Sequence, residues 1–222
     1  MTETHARESL CRIGRSLFER GYAHATAGNI SLRLDEDSGG GFLITPTDAC
    51  LGFLDPAALA RVDADGRQVS GALHRRIYAA AGRFDPATRC IIHTHSTHCV
   101  ALTLAPLADA PAGELLPALT PYFVMKVGHV PRMAYQRPGD PHTAERVAEA
   151  IDAWGSAGTP LRAVMLDRLG PMVWHDSPDA AMAVLEELEE TARLAVLCRS
   201  QAPPPLDPEA LEDLRQAFGA RW

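Results

Sequence analysis

Apolar residues recur every three to four positions over residues 8–21. Leu10, Ile13, Leu17 and Phe18 fall on one stripe, and this spacing predicts an amphipathic helix that stops at Gly21. The period then changes. Ile30-Ser31-Leu32-Arg33-Leu34 alternates as a strand does, with Gly28-Asn29 as a turn before it. A Gly-rich, charged loop over residues 35–41 joins this strand to Phe42-Leu43-Ile44, which reads as a hairpin, and the polar turn Thr45-Pro46-Thr47-Asp48 follows. Residues 63–66 read as a second turn and 72–81 as a helix. Cys90-Ile91-Ile92-His93 reads as a buried strand that runs into a cluster of histidines, His93, His95 and His98.

The second half continues the alternation. Residues 115–135 hold short apolar runs broken by Pro117, Pro121, Gly128 and Pro131, a pattern of strands and loops. Asp140-Pro141 resembles a helix start with proline at the first position, and Val147, Ile151 and Trp154 follow at helical spacing. Residues 163–166 and 171–174 read as strands. Ser177-Pro178-Asp179 caps a long helix to about residue 199, with Leu185, Leu188, Ala192 and Ala195 inward. Its Glu186, Glu187, Glu189 and Glu190 read as a solvated helix face. The chain divides into one domain over residues 1–200 and a Pro-rich linker with a short terminal helix over residues 201–222, the helix itself at 208–218. Strands mixed with helices at both ends imply an α/β layered fold.

Composition narrows the function. At 222 residues, with 46% hydrophobic and 22% charged residues, the chain suits one soluble globular domain. A formal charge of -7 argues against a general nucleic-acid binder. No apolar run is long enough to span a bilayer, and the start Met1-Thr2-Glu3-Thr4-His5 lacks the features of a signal peptide. Five cysteines (Cys11, Cys50, Cys90, Cys99 and Cys198) without a CxxC pair suggest reduced thiols and a cytoplasmic location, with Cys90 and Cys99 as small buried side chains. Lys126 is the only lysine, so a Schiff-base mechanism would have to use it.

The histidines carry the chemistry. Side chains alternate faces along a strand, so His93 and His95 project from the same side and can share one metal ion. Two structural histidines are the bland alternative. His98 is better placed to order the site or to touch substrate than to bind metal.

Several motifs in order resemble the class II aldolase/adducin family. They are Ala27-Gly28-Asn29-Ile30-Ser31, Ile44-Thr45-Pro46-Thr47, His93-Thr94-His95-Ser96 and Gly170-Pro171. Within that family the chain is most similar to the 3-oxo-tetronate 4-phosphate decarboxylases. That likeness rests on His95-Ser96-Thr97-His98, on Leu119-Thr120-Pro121-Tyr122-Phe123-Val124-Met125, on Arg137-Pro138-Gly139-Asp140-Pro141 and on Glu186-Glu187-Leu188-Glu189-Glu190-Thr191-Ala192.

The resemblance implies a central, mainly antiparallel sheet covered by helices in α/β/α layers, and a homotetramer with sites between subunits. It also implies a divalent metal, normally zinc, and a phosphorylated sugar acid that loses CO2 to give dihydroxyacetone phosphate. His93 and His95 match two metal ligands of the family. Gly28, Asn29, Thr45 and Thr47 match its substrate-phosphate positions, where backbone N–H groups and hydroxyls gather in turns; ordinary turn chemistry explains the same residues. Tyr122 matches a tyrosine that related aldolases reach across from a neighbouring subunit as a proton donor, and a buried interface tyrosine is an equal account.

Two departures stand against these matches. The family's Pro-Ser/Thr-Lys-Glu segment, with its acidic residue, is missing where Ser70-Gly71 runs straight into Ala72-Leu73-His74. The family's third metal-binding histidine is replaced by Leu169 in Arg168-Leu169-Gly170-Pro171. Catalytic zinc normally takes three protein ligands, and Asp167, His98 or His74 would have to stand in. The sequence therefore supports a metal-dependent decarboxylase, a catalytically impaired member that keeps the fold for assembly or sugar-phosphate binding, or a sugar-phosphate aldolase.

Overall fold

A computed structural model describes residues 2–63 and 71–222 of the chain. Most of the turn expected at residues 63–66, and Ser70 beside the shortened segment, lie outside the described residues.

Helix α1 (Glu3–Glu19) starts five residues before the expected start at residue 8, because Thr2 caps it by accepting the His5 N–H and Glu3 sits in its first turn. The hairpin follows as strands β1 (Asn29–Arg33) and β2 (Phe42–Ile44), and a third strand, β3 (Ala60–Val62), extends it. Next come α2 (Ala72–Ala81), β4 (Cys90–His93) and α3 (Thr97–Leu104). The second half holds α4 (Pro121–Lys126), β5 (Arg132–Met133), α5 (Pro141–Ser156), β6 (Ala163–Leu166), β7 (Gly170–His175), α6 (Pro178–Leu197) and α7 (Pro208–Phe218). Four of these helices start alike. Thr120, Asp140, Ser177 and Asp207 each accept a backbone N–H from the first turn, and proline follows in each case.

Two helices differ from the sequence reading. The stretch around Pro121 is a helix, since Thr120-Pro121 is a cap followed by proline rather than a break. His98 lies on α3, which has no side-chain cap of its own: the Ser96 hydroxyl bonds Thr94 Oγ1 at 2.6 Å instead.

The strands form one sheet in the order β3-β2-β1-β4-β7-β6-β5, antiparallel throughout except for the parallel pair β5–β6. Successive strand residues point to opposite faces. Ile30, Leu32, Ile92, Met165 and Val173 therefore pack against α1, α3, α4 and α6, and Ile44, Ile91, Val164, Met172 and Trp174 against α2 and α5. The result is the α/β/α layering expected from the sequence. No helix among the described residues is long and apolar enough to cross a membrane.

Candidate active site

The end of β4 is where backbone segments converge. Asn29 of β1 lies opposite His93 on one side, and Met172 of β7 on the other. Two glycines make this convergence possible. Gly28, at φ +93°, would place a Cβ 2.6 Å from the His93 carbonyl oxygen, and Gly170, at φ +142°, would place one 1.9 Å from the Thr94 carbonyl oxygen. Side chains larger than hydrogen do not fit at either position.

His93 and His95 emerge from this junction on one side, ring centres 5.1 Å apart. The Nδ1–H of His93 donates to the Pro171 carbonyl at 2.9 Å, which fixes the tautomer and leaves Nε2 with a free lone pair. Burial holds the His93 pKa down to about 4, with His95 adding to the effect and the Pro171 bond opposing it. His95 is lowered as well, by burial first and then by His24. Both rings are therefore neutral near pH 7, the form that binds a metal ion.

A polar row continues along β1 on the same face. His74 of α2 is buried, with Nδ1 2.7 Å from Ser31 Oγ and Nε2 2.5 Å from Asn29 Oδ1. Burial, then His93, holds its pKa near 3. With its oxygen turned toward His74, Asn29 keeps its amide N–H groups for another partner.

Thr45 is buried, its Oγ1 accepting the Ile30 N–H at 3.1 Å, so it ties the turn after β2 to β1. Thr47 is exposed on the same turn, beside Asp48 at φ +59°. Gly28, Asn29, Thr45, His93 and His95 thus gather at one end of the sheet. Tyr122 stands apart on α4, 61% exposed and with no hydrogen bond to any of them.

Of the residues considered as substitute ligands, Asp167 and His74 are engaged elsewhere and His98 is held at one ring nitrogen. Asp167 holds Arg132 through both oxygens, at 2.9 and 2.8 Å. His98 Nδ1–H donates to Glu189 at 2.8 Å, and His74 has a hydrogen-bond partner on each ring nitrogen. The buried thiols of Cys90 and Cys99 are pushed well above the usual range, mainly by burial, and stay protonated.

Comparison with known proteins bears on this site. The profile of the "Class II Aldolase and Adducin N-terminal domain" matches residues 8–196. The chain belongs to the class II aldolase and adducin family. It is 49% identical to 3-oxo-tetronate 4-phosphate decarboxylase of Cupriavidus necator over 232 aligned positions, covering 100% of this chain and 99% of that protein. It is 40% identical to the enzyme of the same name from Escherichia coli K12, covering 86% of each. Among solved structures, YgbL of Klebsiella pneumoniae superposes with a TM-score of 0.80 at 37% identity, over 97% of this chain and 100% of that one.

This class II aldolase-family member departs from the ligand pattern its resemblance implies. Leu169 packs against the apolar cluster on the α2/α5 side of the sheet and offers no lone pair. Among the described residues, no three His, Cys, Asp or Glu side chains are already placed to hold one ion.

One histidine near the pair was not singled out by the sequence: His24. Its ring centre lies 6.3 Å from that of His95, edge to face. A histidine in a polar turn before Gly28 carries no motif, and only the fold brings it to the end of β4.

Proposed function

We propose that this chain is a carboxy-lyase that decarboxylates 3-oxo-tetronate 4-phosphate, giving CO2 and dihydroxyacetone phosphate. The observation that carries the reading is the neutral, same-facing His93/His95 pair beside Asn29 at the end of β4. Likeness to the Cupriavidus necator decarboxylase over the whole chain supports the choice of substrate.

Two neutral imidazoles, with His93 Nε2 freed by the bond at Nδ1, would supply two of the three protein ligands that a divalent ion, zinc in this reading, normally takes. Such an ion supplies a Lewis acid that draws electron density toward the ketone as the bond to the carboxylate breaks. The chain's own groups bind and orient the substrate. The Asn29 amide N–H groups and the turn at Thr45 and Thr47 receive the phosphate, and Gly28 keeps the backbone close enough for them to converge. When CO2 leaves, the electron pair of the broken bond stays on C2 and is shared with the C3 carbonyl. C2 then takes a proton, and Tyr122 of a neighbouring copy is the donor in this reading, recharged from water. Exposure of Tyr122 and of Phe53, 79% accessible, suits side chains covered in a homotetramer. Five free cysteines suit a cytoplasmic setting. A catalytic unit over residues 1–200 with a terminal appendage at 201–222 belongs to the same reading.

A second reading has its own support. Leu169 in the third-ligand position and the shortened segment before α2 favour a member that binds sugar phosphates without turning them over. The two separate in an assay of CO2 release from 3-oxo-tetronate 4-phosphate, with dihydroxyacetone phosphate measured by coupled reduction. The decarboxylase reading expects both products in equal amounts, and their loss on His93→Ala. A folded, zinc-supplemented protein that binds the substrate and releases no CO2 supports the second reading.

A further inference from the structure

We infer that His24 is the third protein ligand of the metal site, standing in for the histidine that Leu169 has replaced. The inference rests on the reading that His93 and His95 hold a divalent ion. Zinc sites place each nitrogen about 2.0–2.1 Å from the ion, so imidazoles sharing a tetrahedral ion stand with ring centres roughly 5 Å apart. The His93–His95 spacing of 5.1 Å already meets this. His24 stands 6.3 Å from His95, about an ångström too far.

The local structure allows that gap to close. His24 is exposed, at the start of a turn in which the Ala27 N–H donates to the His24 carbonyl at 2.9 Å and Ala25 adopts φ +49°. Behind it the turn is anchored, since Tyr22 and Ala23 are buried and the Ser96 hydroxyl donates to the Tyr22 carbonyl at 3.4 Å. That bond links the residue after His95 to the residue two before His24, so the two histidine-bearing segments are held side by side. Ligation requires the His24 ring to turn toward His95 while β4 stays in place.

Elimination points the same way. Asp167 spends both oxygens on Arg132, His74 is held at both nitrogens, and His98 stands on α3 with Nδ1 turned to Glu189 and, among the described residues, no ring contact with the pair. His24 touches the His95 ring, is exposed, and has no hydrogen-bonded ring nitrogen among the described residues.

The test is metal binding by the full chain, stripped and then titrated with zinc against a chromophoric chelator, and separately loaded with cobalt(II) for its visible absorption. His24→Ala and His24→Asn are compared with His93→Ala; the asparagine variant keeps a polar side chain suited to the turn. Both position-24 variants are expected to bind zinc at least about 10-fold more weakly, the lower end of the loss seen when even an outer partner of a ligand is removed. Their cobalt spectra are expected to lose the intensity of a four-coordinate site. Wild-type affinity or an unchanged cobalt spectrum in either variant, with binding lost in His93→Ala, overturns the role of His24 and leaves the His93/His95 site standing. A wild-type chain that binds no zinc, or a His93→Ala variant that binds it equally well, overturns the metal reading itself.

Discussion

A methyl group at position 170 would lie 1.9 Å from the Thr94 carbonyl oxygen, on a backbone at φ +142° that side chains rarely adopt. Gly170 is therefore part of the machinery that aims the histidines. It lets Pro171 come close enough for its carbonyl to take the His93 Nδ1–H. Gly170→Ala should cost about 2–6 kcal/mol in chemical denaturation, from backbone strain and overpacking of about 1–3 kcal/mol each. It should also weaken zinc binding, because the ring it displaces is a proposed ligand. A loss below about 1 kcal/mol would show that the junction is looser than described.

Among the elements, α3 depends most on a distant part of the chain. Its first N–H groups have no local cap, and Glu189 of α6 takes their place. Its carboxylate accepts the His98 N–H at 3.0 Å, the His98 Nδ1–H at 2.8 Å and the Cys99 N–H at 3.0 Å, while only 4% exposed. Glu189→Gln replaces one acceptor oxygen with a donor facing a donor. It should destabilise the protein by about 1–3 kcal/mol, the cost of leaving buried polar groups unpaired. The exposed neighbour Glu190→Gln should stay within about 0.5 kcal/mol of wild type. Equal losses for the two in urea denaturation would contradict this division.

The same helix marks the limit of what the sequence carries. Local signals sufficed where capping and periodicity are local: α2, β6 and α7 lie where their spacing placed them, and Asp140 and Ser177 cap as their residue types suggest. The run Glu186 to Glu190 reads as a solvated face because nothing in it distinguishes Glu189, whose partner lies 91 positions away. Helix α3 was hidden for the complementary reason. The closeness of the His93 and His95 rings was legible in the sequence, although β4 ends at His93 and His95 follows the strand, whereas His24 was not, since a turn histidine gains meaning only when the fold sets it beside β4.

Across the whole molecule, the C-terminal segment is fastened to the body. Arg221 pairs with Asp85 before β4 at 2.9 Å, and the Trp222 ring stacks on His129 with centres 4.3 Å apart. The Arg221 hydrogen bond and charge hold the Asp85 carboxyl below its usual range against the opposing effect of burial. A carboxyl whose pKa is lowered by folding adds stability that is complete above its unfolded value and lost as pH falls through the folded one. Asp85→Asn should therefore melt earlier than wild type at neutral pH, with the difference closing only below about pH 3.8, the ordinary carboxyl value. A difference that is constant down to strong acid would exclude this pair as its source.

Assembly belongs to the same scale. Light scattering should give the mass of four chains, and Tyr122→Phe should lower the rate of CO2 release while leaving that mass unchanged.

The most direct measurement of the central claim is CO2 release from 3-oxo-tetronate 4-phosphate by chelator-stripped protein as zinc is added back. The account predicts no turnover at the start and a linear rise that levels off near one zinc per chain. Full turnover by the stripped protein, or none at saturating zinc from a folded chain, would contradict it.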